Sequence, residues 1–292
     1  MNILVLGGSR FFGKRLVQQL VKDGHDVTVA TRGQRGLDSL GGKVFQTIVD
    51  RSDLNAMKLA FGGRPFDVVY DQLGFTPQDA RIAAEVFVGR IRRFVFTSSM
   101  AVYDSSEEVL SERAFDPHAY SLDLTKDSYS YKEGKRQAEA YFYQYAPFPV
   151  AAVRPPFVIS SDDDYTGRFA FHVGKLLNRE PISLAGSADV SFVAADELAA
   201  FMNDIGTKSD YVGPINASNT GWMDTERLTR TIADLLGATP IFADAAEEKS
   251  PYCIGETLRL SNELARSIGY AFQPLESVIE RLIREMKEQG GQ

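Results

Sequence analysis

A tyrosine and a lysine four residues apart are the side chains of this sequence best suited to moving a proton. Tyr131 and Lys135 stand in a predicted helix, where residues four apart share one face. A free tyrosine has a pKa of about 10, too high for a base at neutral pH. A neighbouring ammonium favours the phenolate and brings that pKa toward the working range. The pair could then move a proton while a hydride leaves or reaches the adjacent carbon.

A glycine-rich turn near the start of the chain is the second feature that could do chemistry. Residues 3–6 form a short apolar run, as expected of a strand buried on both faces, and Gly7 and Gly8 end it. From Gly13 onward the apolar residues follow a helical period. A strand, a turn and a helix in this order leave free N–H groups and the positive helix end above the turn. The pattern predicts an anion site, and a purely structural corner is the alternative.

The elements that must position these residues alternate regularly. Predicted strands end near residues 30, 49, 71 and 97, with a helix after the strands that end near 49, 71 and 97. Such alternation is typical of an α/β protein with a right-handed, doubly wound parallel sheet. Ligands of these sheets lie at the carboxyl ends of the strands. Side chains that follow strand ends are therefore the candidates for binding.

The loop from Gly7 to Gly13 resembles that of the extended short-chain dehydrogenase/reductase family, of the NAD-dependent epimerase/dehydratase type. Arg10 replaces its middle glycine, as in a subset of bacterial and chloroplast members. The Tyr131–Lys135 spacing and the closing segment 261–276 resemble the same family, so the resemblance covers the whole chain. It implies a Rossmann-type doubly wound sheet with a smaller C-terminal α/β region for the substrate. The expected domains are a dinucleotide-binding domain, 1–156 with return segments about 184–217, and a substrate-binding region, 157–183 and 218–292.

The resemblance also implies roles for individual residues. The family's active serine lies four residues before a tyrosine, which maps onto Ser99 after the fifth strand. Ser99 would hold the substrate oxygen, Tyr131 would act as base or acid, and Lys135 would also reach the ribose hydroxyls of the cofactor. The implied cofactor-binding residues are Gly7, Ser9, Arg10, Phe11, Phe12, Gly13, Arg32, Asp50, Leu73 and Lys135. Asp50 would face the adenine amino group, and a turn or N-cap role is its alternative.

The end of the second strand indicates which cofactor is bound. Dinucleotide folds place an acidic residue there for a ribose 2′-hydroxyl, or an arginine for a 2′-phosphate. This sequence offers Arg32 and no carboxylate, and Arg10 could converge on the same phosphate. NADP is therefore favoured and NAD is the alternative. Both arginines could also be ordinary surface residues.

Several positions depart from the sugar-nucleotide enzymes of this family. Met100 and Ala101 stand where dehydratases carry an Asp-Glu pair, and the arginine that would hold a substrate diphosphate is missing from the segment 190–196. Candidate substrate contacts are Met100, Phe157 and Arg168. Arg168 could replace the missing arginine, and an exposed loop arginine is the alternative. Met100 and Phe157, with Phe171, suggest a pocket more apolar than a sugar-diphosphate site.

Composition excludes several classes of function. The chain has 292 residues with a net charge of −7, so it carries no electrostatic footprint for nucleic acid. The arginines at 90, 92 and 93 resemble a solvated helix end. One cysteine and three dispersed histidines predict neither a disulfide framework nor a metal site. No apolar stretch approaches the roughly 20 residues needed to span a membrane. A cytoplasmic protein acting on a small molecule, and forming a homodimer as the family implies, is expected.

The expected function is that of an NAD(P)-dependent oxidoreductase or epimerase acting at a secondary alcohol or ketone carbon. Two alternatives come from other classes. One is a catalytically idle NAD(P)-binding regulator, which the intact Ser99, Tyr131 and Lys135 argue against. The other is an RNA-associated protein like the chloroplast stem-loop-binding relatives, which the acidic balance argues against.

Overall fold

The computed structural model describes residues 1–34, 40, 44–126, 128–243 and 248–290. The chain forms two compact units. The first unit comprises Met1–Val102, Glu112–Pro155 and Asp196–Ala217, and the second comprises Tyr103–Ser111, Pro156–Ala195 and Ser218–Gln292. Their assignment to cofactor and substrate stays a prediction.

Strands and helices alternate through the first unit and become shorter in the second. The strands are β1 Asn2–Leu6, β2 Asp26–Thr31, β3 Val44–Ile48, β4 Phe66–Asp71, β5 Ile91–Thr97, β6 Val150–Arg154, β7 Phe157–Ile159, β8 Pro181–Ile182, β9 Phe192–Ala194, β10 Gly213–Asn216 and β11 Ile241–Phe242. The helices are α1 Phe11–Lys22, α2 Leu54–Phe61, α3 Pro77–Phe87, α4 Tyr131–Tyr145, α5 Arg168–Leu177, α6 Ala195–Thr207, α7 Thr225–Leu236, α8 Glu263–Ser267 and α9 Leu275–Gly290.

A seven-stranded parallel sheet in the order β10-β6-β5-β4-β1-β2-β3 forms the centre of the first unit. β1 pairs in register with β2 on one side, from Asn2 opposite Asp26, and with β4 on the other, from Ile3 opposite Val68. The strand order therefore reverses at β1, and a crevice opens there at the carboxyl ends of the strands. The predicted doubly wound Rossmann-type fold is confirmed.

Apolar strands and capped helices explain why these elements form. β1 and β6 are almost entirely buried, as expected of strands covered on both faces. α3 begins with a capping box between Thr76 and Asp79, followed by Pro77 at its first position. α6 begins at Ala195, and Asp196 lies within its first turn.

The second unit contains two short sheets, β7–β9 and β8–β11. Sequence periodicity leaves residues 169–177 and 182–193 open between helix and strand. The structure forms α5 in the first range and two short strands in the second. The predicted inward face of α9 is confirmed, since Val278, Ile279, Leu282 and Ile283 are all buried. No helix among the described residues has the length and apolarity needed to cross a bilayer.

Candidate functional site

A cavity of about 420 Å³ lies at the carboxyl ends of the first four strands. Each strand contributes residues at or just beyond its end. The lining consists of Gly7, Ser9, Arg10, Thr31, Arg32, Gln34, Val49, Asp50, Arg51, Ser52, Leu73 and Asp79. Six predicted cofactor residues thus line one cavity: Gly7, Ser9, Arg10, Arg32, Asp50 and Leu73. The other four, Phe11, Phe12, Gly13 and Lys135, are not part of its lining.

The glycine turn brings α1 close to the sheet beside this cavity. Gly8 has a φ of +90°, and a Cβ added to it would lie 2.9 Å from Val17 Cγ2 and 3.0 Å from Val5 Cγ1. A larger residue would therefore be strained and would push α1 away from β1. Phe11, the first residue of α1, has a φ of +52°, a region that non-glycine residues rarely occupy. The N-terminus of α1 is thus fixed at the crevice, where it can attract an anion.

Opposite charges line the cavity at the ends of β2 and β3. Asp50 Oδ1 accepts hydrogen bonds from the Ser52 hydroxyl at 2.6 Å and the Ser52 N–H at 2.9 Å. These bonds, with the charge of Arg32, lower the pKa of Asp50. Asp50 is therefore a turn residue and a cavity residue at once. Arg10 and Arg32 line the same cavity, and a guanidinium group suits a phosphate.

Lys135 is buried inside the first unit. Its Nζ donates to the carbonyl of Gly74 at 2.7 Å and to that of Thr97 at 2.8 Å. Burial lowers the pKa of Lys135 to about 8, while the charges of Asp71 and Asp79 act in the opposite direction. The side chain therefore remains largely an ammonium at neutral pH, tied to the segments that follow β4 and β5.

Tyr131 is the first residue of α4, and its side chain is 54% exposed. Its ring centroid lies 5.5 Å from that of Phe75. Three residues further along the helix, a Cβ added to Gly134 would lie 2.8 Å from the Phe75 carbonyl oxygen. The close approach of α4 to residue 75 thus requires glycine at position 134. Tyr131 and Lys135 occupy the same helical face, as the sequence spacing predicts.

Ser99 follows β5 and is 9% exposed. Its Oγ accepts a 3.2 Å hydrogen bond from the Ala101 N–H, at the start of a short 3-10 turn formed by Met100–Val102. The N–H of the preceding Ser98 donates to the Val153 carbonyl at 2.7 Å. The serine pair is thereby fixed at the carboxyl edge of the sheet, at the end of the strand whose Thr97 carbonyl binds Lys135.

A buried ion pair supports this region. Glu139 and Arg154 are both fully buried, and Arg154 Nη2 lies 2.6 Å from Glu139 Oε1. The Ser98 hydroxyl donates to Glu139 Oε2 at 2.7 Å. The remaining donors of Arg154 bind the Glu112 carbonyl at 2.9 Å and the Phe115 carbonyl at 3.2 Å. Every charge of the pair is therefore compensated, as a buried pair requires.

Two of the three predicted substrate contacts lie in the second unit. The Arg168 guanidinium lies 5.4 Å from the centre of the Phe157 ring, at the start of α5. Met100 belongs to the first unit and is buried. The structure thus brings Arg168 and Phe157 together.

Sequence reasoning missed Arg51 and Asp79, which line the cavity. Arg51 has the appearance of a surface residue in a polar turn, yet only 6% of it is exposed. The one signal available was the presence of acidic residues at the end of β4 and at the start of α3. Within the described ranges, no group of three or more His, Cys, Asp or Glu side chains could hold a metal ion.

Comparisons with known proteins identify a sequence family, a related protein and similar solved structures. Residues 7–198 match a family described as NAD(P)H-binding. A chloroplast stem-loop binding protein of 41 kDa (form b) from Arabidopsis thaliana is 31% identical over 130 residues, which cover 40% of this chain and 34% of that protein. The match therefore spans about a third of the length of that relative.

Solved structures share the fold over the full chain. The dTDP-glucose 4,6-dehydratase of Bacillus anthracis, in complex with NAD, has a TM-score of 0.79 at 14% identity, covering 100% of this chain and 98% of that one. The UDP-glucose 4-epimerase of Thermotoga maritima, with UDP-glucose, has a TM-score of 0.77 at 16% identity, covering 100% of both chains.

Proposed function

The chain belongs to the NAD(P)H-binding family matched by residues 7–198, and we propose that it is an NAD(P)-dependent oxidoreductase or epimerase. The reaction is hydride transfer at a secondary alcohol or ketone carbon of a small molecule. Ser99, Tyr131 and Lys135 are the catalytic residues. The glycine turn, Arg10, Arg32, Asp50 and neighbouring residues hold the cofactor.

The observation that carries this proposal is the position of the Lys135 ammonium. It binds the carbonyl of Gly74, which follows the cavity residue Leu73, and the carbonyl of Thr97, two residues before Ser99. One cation thus joins the residue after Leu73, the end of the strand that precedes Ser99 and the helix that carries Tyr131. Burying a charge is costly, so a lysine without a functional role is expected on the helix surface and not at this buried position.

The fit of a dinucleotide rests on the cavity itself. Its glycine turn, helix N-terminus and two guanidinium groups match a pyrophosphate and a further phosphate. A bound nicotinamide would supply or accept the hydride. These residues bind and orient the cofactor.

The catalytic side chains have separate tasks. In the direction of reduction, the Tyr131 hydroxyl gives its proton to the substrate oxygen, and in oxidation the phenolate takes it back. The Ser99 hydroxyl holds the same oxygen by a hydrogen bond. Lys135 has three N–H donors, of which two bind carbonyls. The third would bind a ribose hydroxyl of the cofactor, and the positive charge would stabilise the phenolate.

The proposal includes a preference for NADP over NAD. Two arginines and no carboxylate belong to the loop and to the end of β2, which favours a 2′-phosphate. It also includes self-association through α3 and α4, the helices that follow β4 and β5, which gel filtration with light scattering tests directly. A monomer at all concentrations would contradict that part.

Hydride transfer is tested with deuterated cofactor. The protein is incubated with NADPH or NADH deuterated on the nicotinamide, together with a panel of ketones and of nucleotide sugars, and products are examined by mass spectrometry. Reduction introduces deuterium. An epimerase is detected by formation of the epimer and by exchange of label with bound cofactor.

The Tyr131→Phe variant should bind NADPH, measured by fluorescence, with unchanged affinity and transfer no label. Tyr145→Phe is a matched control, since Tyr145 lies at the far end of the same helix and is 61% exposed. It should behave as the parent protein. A protein that binds cofactor but is equally active with phenylalanine at position 131 would overturn the catalytic assignment. If the protein binds neither NADPH nor NADH, the proposal as a whole is overturned.

RNA binding is a second candidate function, because the Arabidopsis relative is named for binding a stem-loop. The net charge of −7 opposes it, since RNA affinity depends largely on neutralising phosphates. A gel-shift assay with a labelled stem-loop RNA at physiological salt separates the two. A complex that survives excess competitor RNA would support the second function.

A further inference from the structure

Residues 73–76, the last four of the segment between β4 and α3, have an unusual backbone environment. The N–H groups of Leu73 and Gly74 both donate to Asp71 Oδ1, at 3.0 and 2.8 Å. Those of Phe75 and Thr76 both donate to Asp79 Oδ2, at 2.9 and 2.8 Å. Two carboxylates therefore hold every N–H group of the segment 73–76.

One arginine binds both carboxylates. Arg51 pairs with Asp71 through Nη2 and through Nε at 3.1 Å, and its Nη1 lies 3.4 Å from Asp79 Oδ1 and donates to the Asp79 carbonyl at 2.9 Å. Arg51 and Asp71 are 6% and 0% exposed. The planar fork of a guanidinium can hold two partners at fixed angles, which a lysine ammonium cannot reproduce. We call Arg51, Asp71 and Asp79 the arginine clamp.

The segment 73–76 in turn contacts the catalytic helix. The Gly74 carbonyl accepts from Lys135 Nζ, and the Phe75 ring packs against the Tyr131 ring. The Phe75 carbonyl lies where Gly134 leaves room for it. On the other side, Arg51, Leu73 and Asp79 line the cofactor cavity. The clamp therefore lies between the cavity and the two catalytic side chains.

We propose that Arg51 is a positioning residue, which acts through Asp71 and Asp79 to hold the segment 73–76 in the shape that places Lys135 and Tyr131 beside the cofactor. The inference rests on the proposed function for its catalytic meaning. The geometry of the clamp is a property of the ligand-free protein and is tested there.

The test compares Arg51→Met, which removes charge and fork, with Arg51→Lys, which keeps only the charge. Arg81→Met is the matched control, because Arg81 is an exposed arginine of α3 that lies 4.0 Å from Glu85. Circular dichroism establishes that each variant is folded. Amide hydrogen exchange is then measured for residues 73–76, and the Lys135 side chain is titrated by NMR in protein with ¹³C-labelled lysine.

Both Arg51 variants should speed exchange at residues 73–76 by roughly tenfold or more and move the Lys135 titration midpoint, while Arg81→Met changes neither. If Arg51→Lys matches the parent in both measurements, only the charge matters and the proposal is overturned. It is equally overturned if Arg51→Met leaves exchange unchanged.

A second pair of variants keeps the test decisive if the Arg51 variants do not fold. Asp79→Asn should speed exchange at Phe75 and Thr76 more than at Leu73 and Gly74, and Asp71→Asn should do the opposite. If either variant changes the exchange rate equally at all residues of the segment, the two carboxylates do not hold separate parts of it. NADPH binding is recorded in parallel. If the parent protein does not bind NADPH, the proposed function is refuted. If the parent binds NADPH and the variants leave amide exchange unchanged, only the clamp is refuted.

Discussion

Replacing Glu139 by glutamine removes one charge from the fully buried pair with Arg154. Glutamine has nearly the same volume, but its NH2 group replaces one of the two carboxylate oxygens that accept from Ser98 and Arg154, so the change removes the charge and one acceptor. Arg154 keeps its bonds to the carbonyls of Glu112 and Phe115, but its cation loses its counterion in a site with 0% exposure. Water cannot reach the Arg154 guanidinium unless α4 moves away from β6.

Breaking a buried pair by removing one partner costs about 3–5 kcal/mol. For a folded unit of this size, each kcal/mol lowers the melting temperature by about 2–4 °C. Glu139→Gln is therefore expected to melt roughly 6–20 °C below the parent protein. The measurement is thermal unfolding followed by circular dichroism, with urea unfolding as an independent measure of the free energy.

Two comparisons test the reasoning. The exposed pair Glu226–Arg230 on α7 has a similar separation, 2.7 Å, yet Glu226→Gln should cost only about 0–1 kcal/mol. The double variant Glu139→Met, Arg154→Met leaves no unpaired charge and should be more stable than Glu139→Gln. The argument fails if the buried and exposed glutamates give equal losses, or if the double variant is the least stable of the set.

Three further outcomes are expected. Gly134→Ala should destabilise the protein by about 1–3 kcal/mol and weaken catalysis, because its Cβ would lie 2.8 Å from the Phe75 carbonyl oxygen; equal melting temperatures would contradict this. The pKa of Lys135 is about 8 in the folded protein against 10.5 ordinarily. Between pH 8 and 10.5, Lys135 therefore carries a proton in most unfolded chains but not in most folded ones. The free energy of unfolding should therefore gain about 3 kcal/mol from this group as pH rises from 8 to 10.5, and Lys135→Met should abolish that gain in urea titrations. Arg32→Ala should weaken NADPH binding about tenfold and leave NADH binding nearly unchanged; tighter binding of NADH by the parent would refute the preference.

Local patterns sufficed to predict much of the first unit. The sequence predicts a helix over 54–61 and a strand over 66–71, which are the bounds of α2 and β4. Apolar periodicity and a buried apolar run are signals within a few residues. The helical face shared by Tyr131 and Lys135 is equally local. The family resemblance implied the cavity residues after β1, β2 and β3, and they meet because parallel strands bring their carboxyl ends to one edge.

Contacts between distant residues could not be predicted in this way. Arg51 is buried only because Asp71 and Asp79, 20 and 28 positions away, meet it. Arg93 was predicted to begin the fifth strand and to be solvated, but within β5 it is only 8% exposed and donates to the Ile205 carbonyl at 2.6 Å. The second unit uses strands of two or three residues, too short to produce a period.

The place of β10 in the sheet has a consequence for how the chain is made. β6, whose five residues are all buried, is flanked by β5 and by β10, and β10 comes from residues 213–216. On the ribosome, β6 therefore emerges well before its outer neighbour, with one row of backbone N–H and carbonyl groups open to another chain. A fragment ended at residue 155 would keep that apolar edge permanently. A fragment meant to carry the complete sheet must include the segment through Ala217.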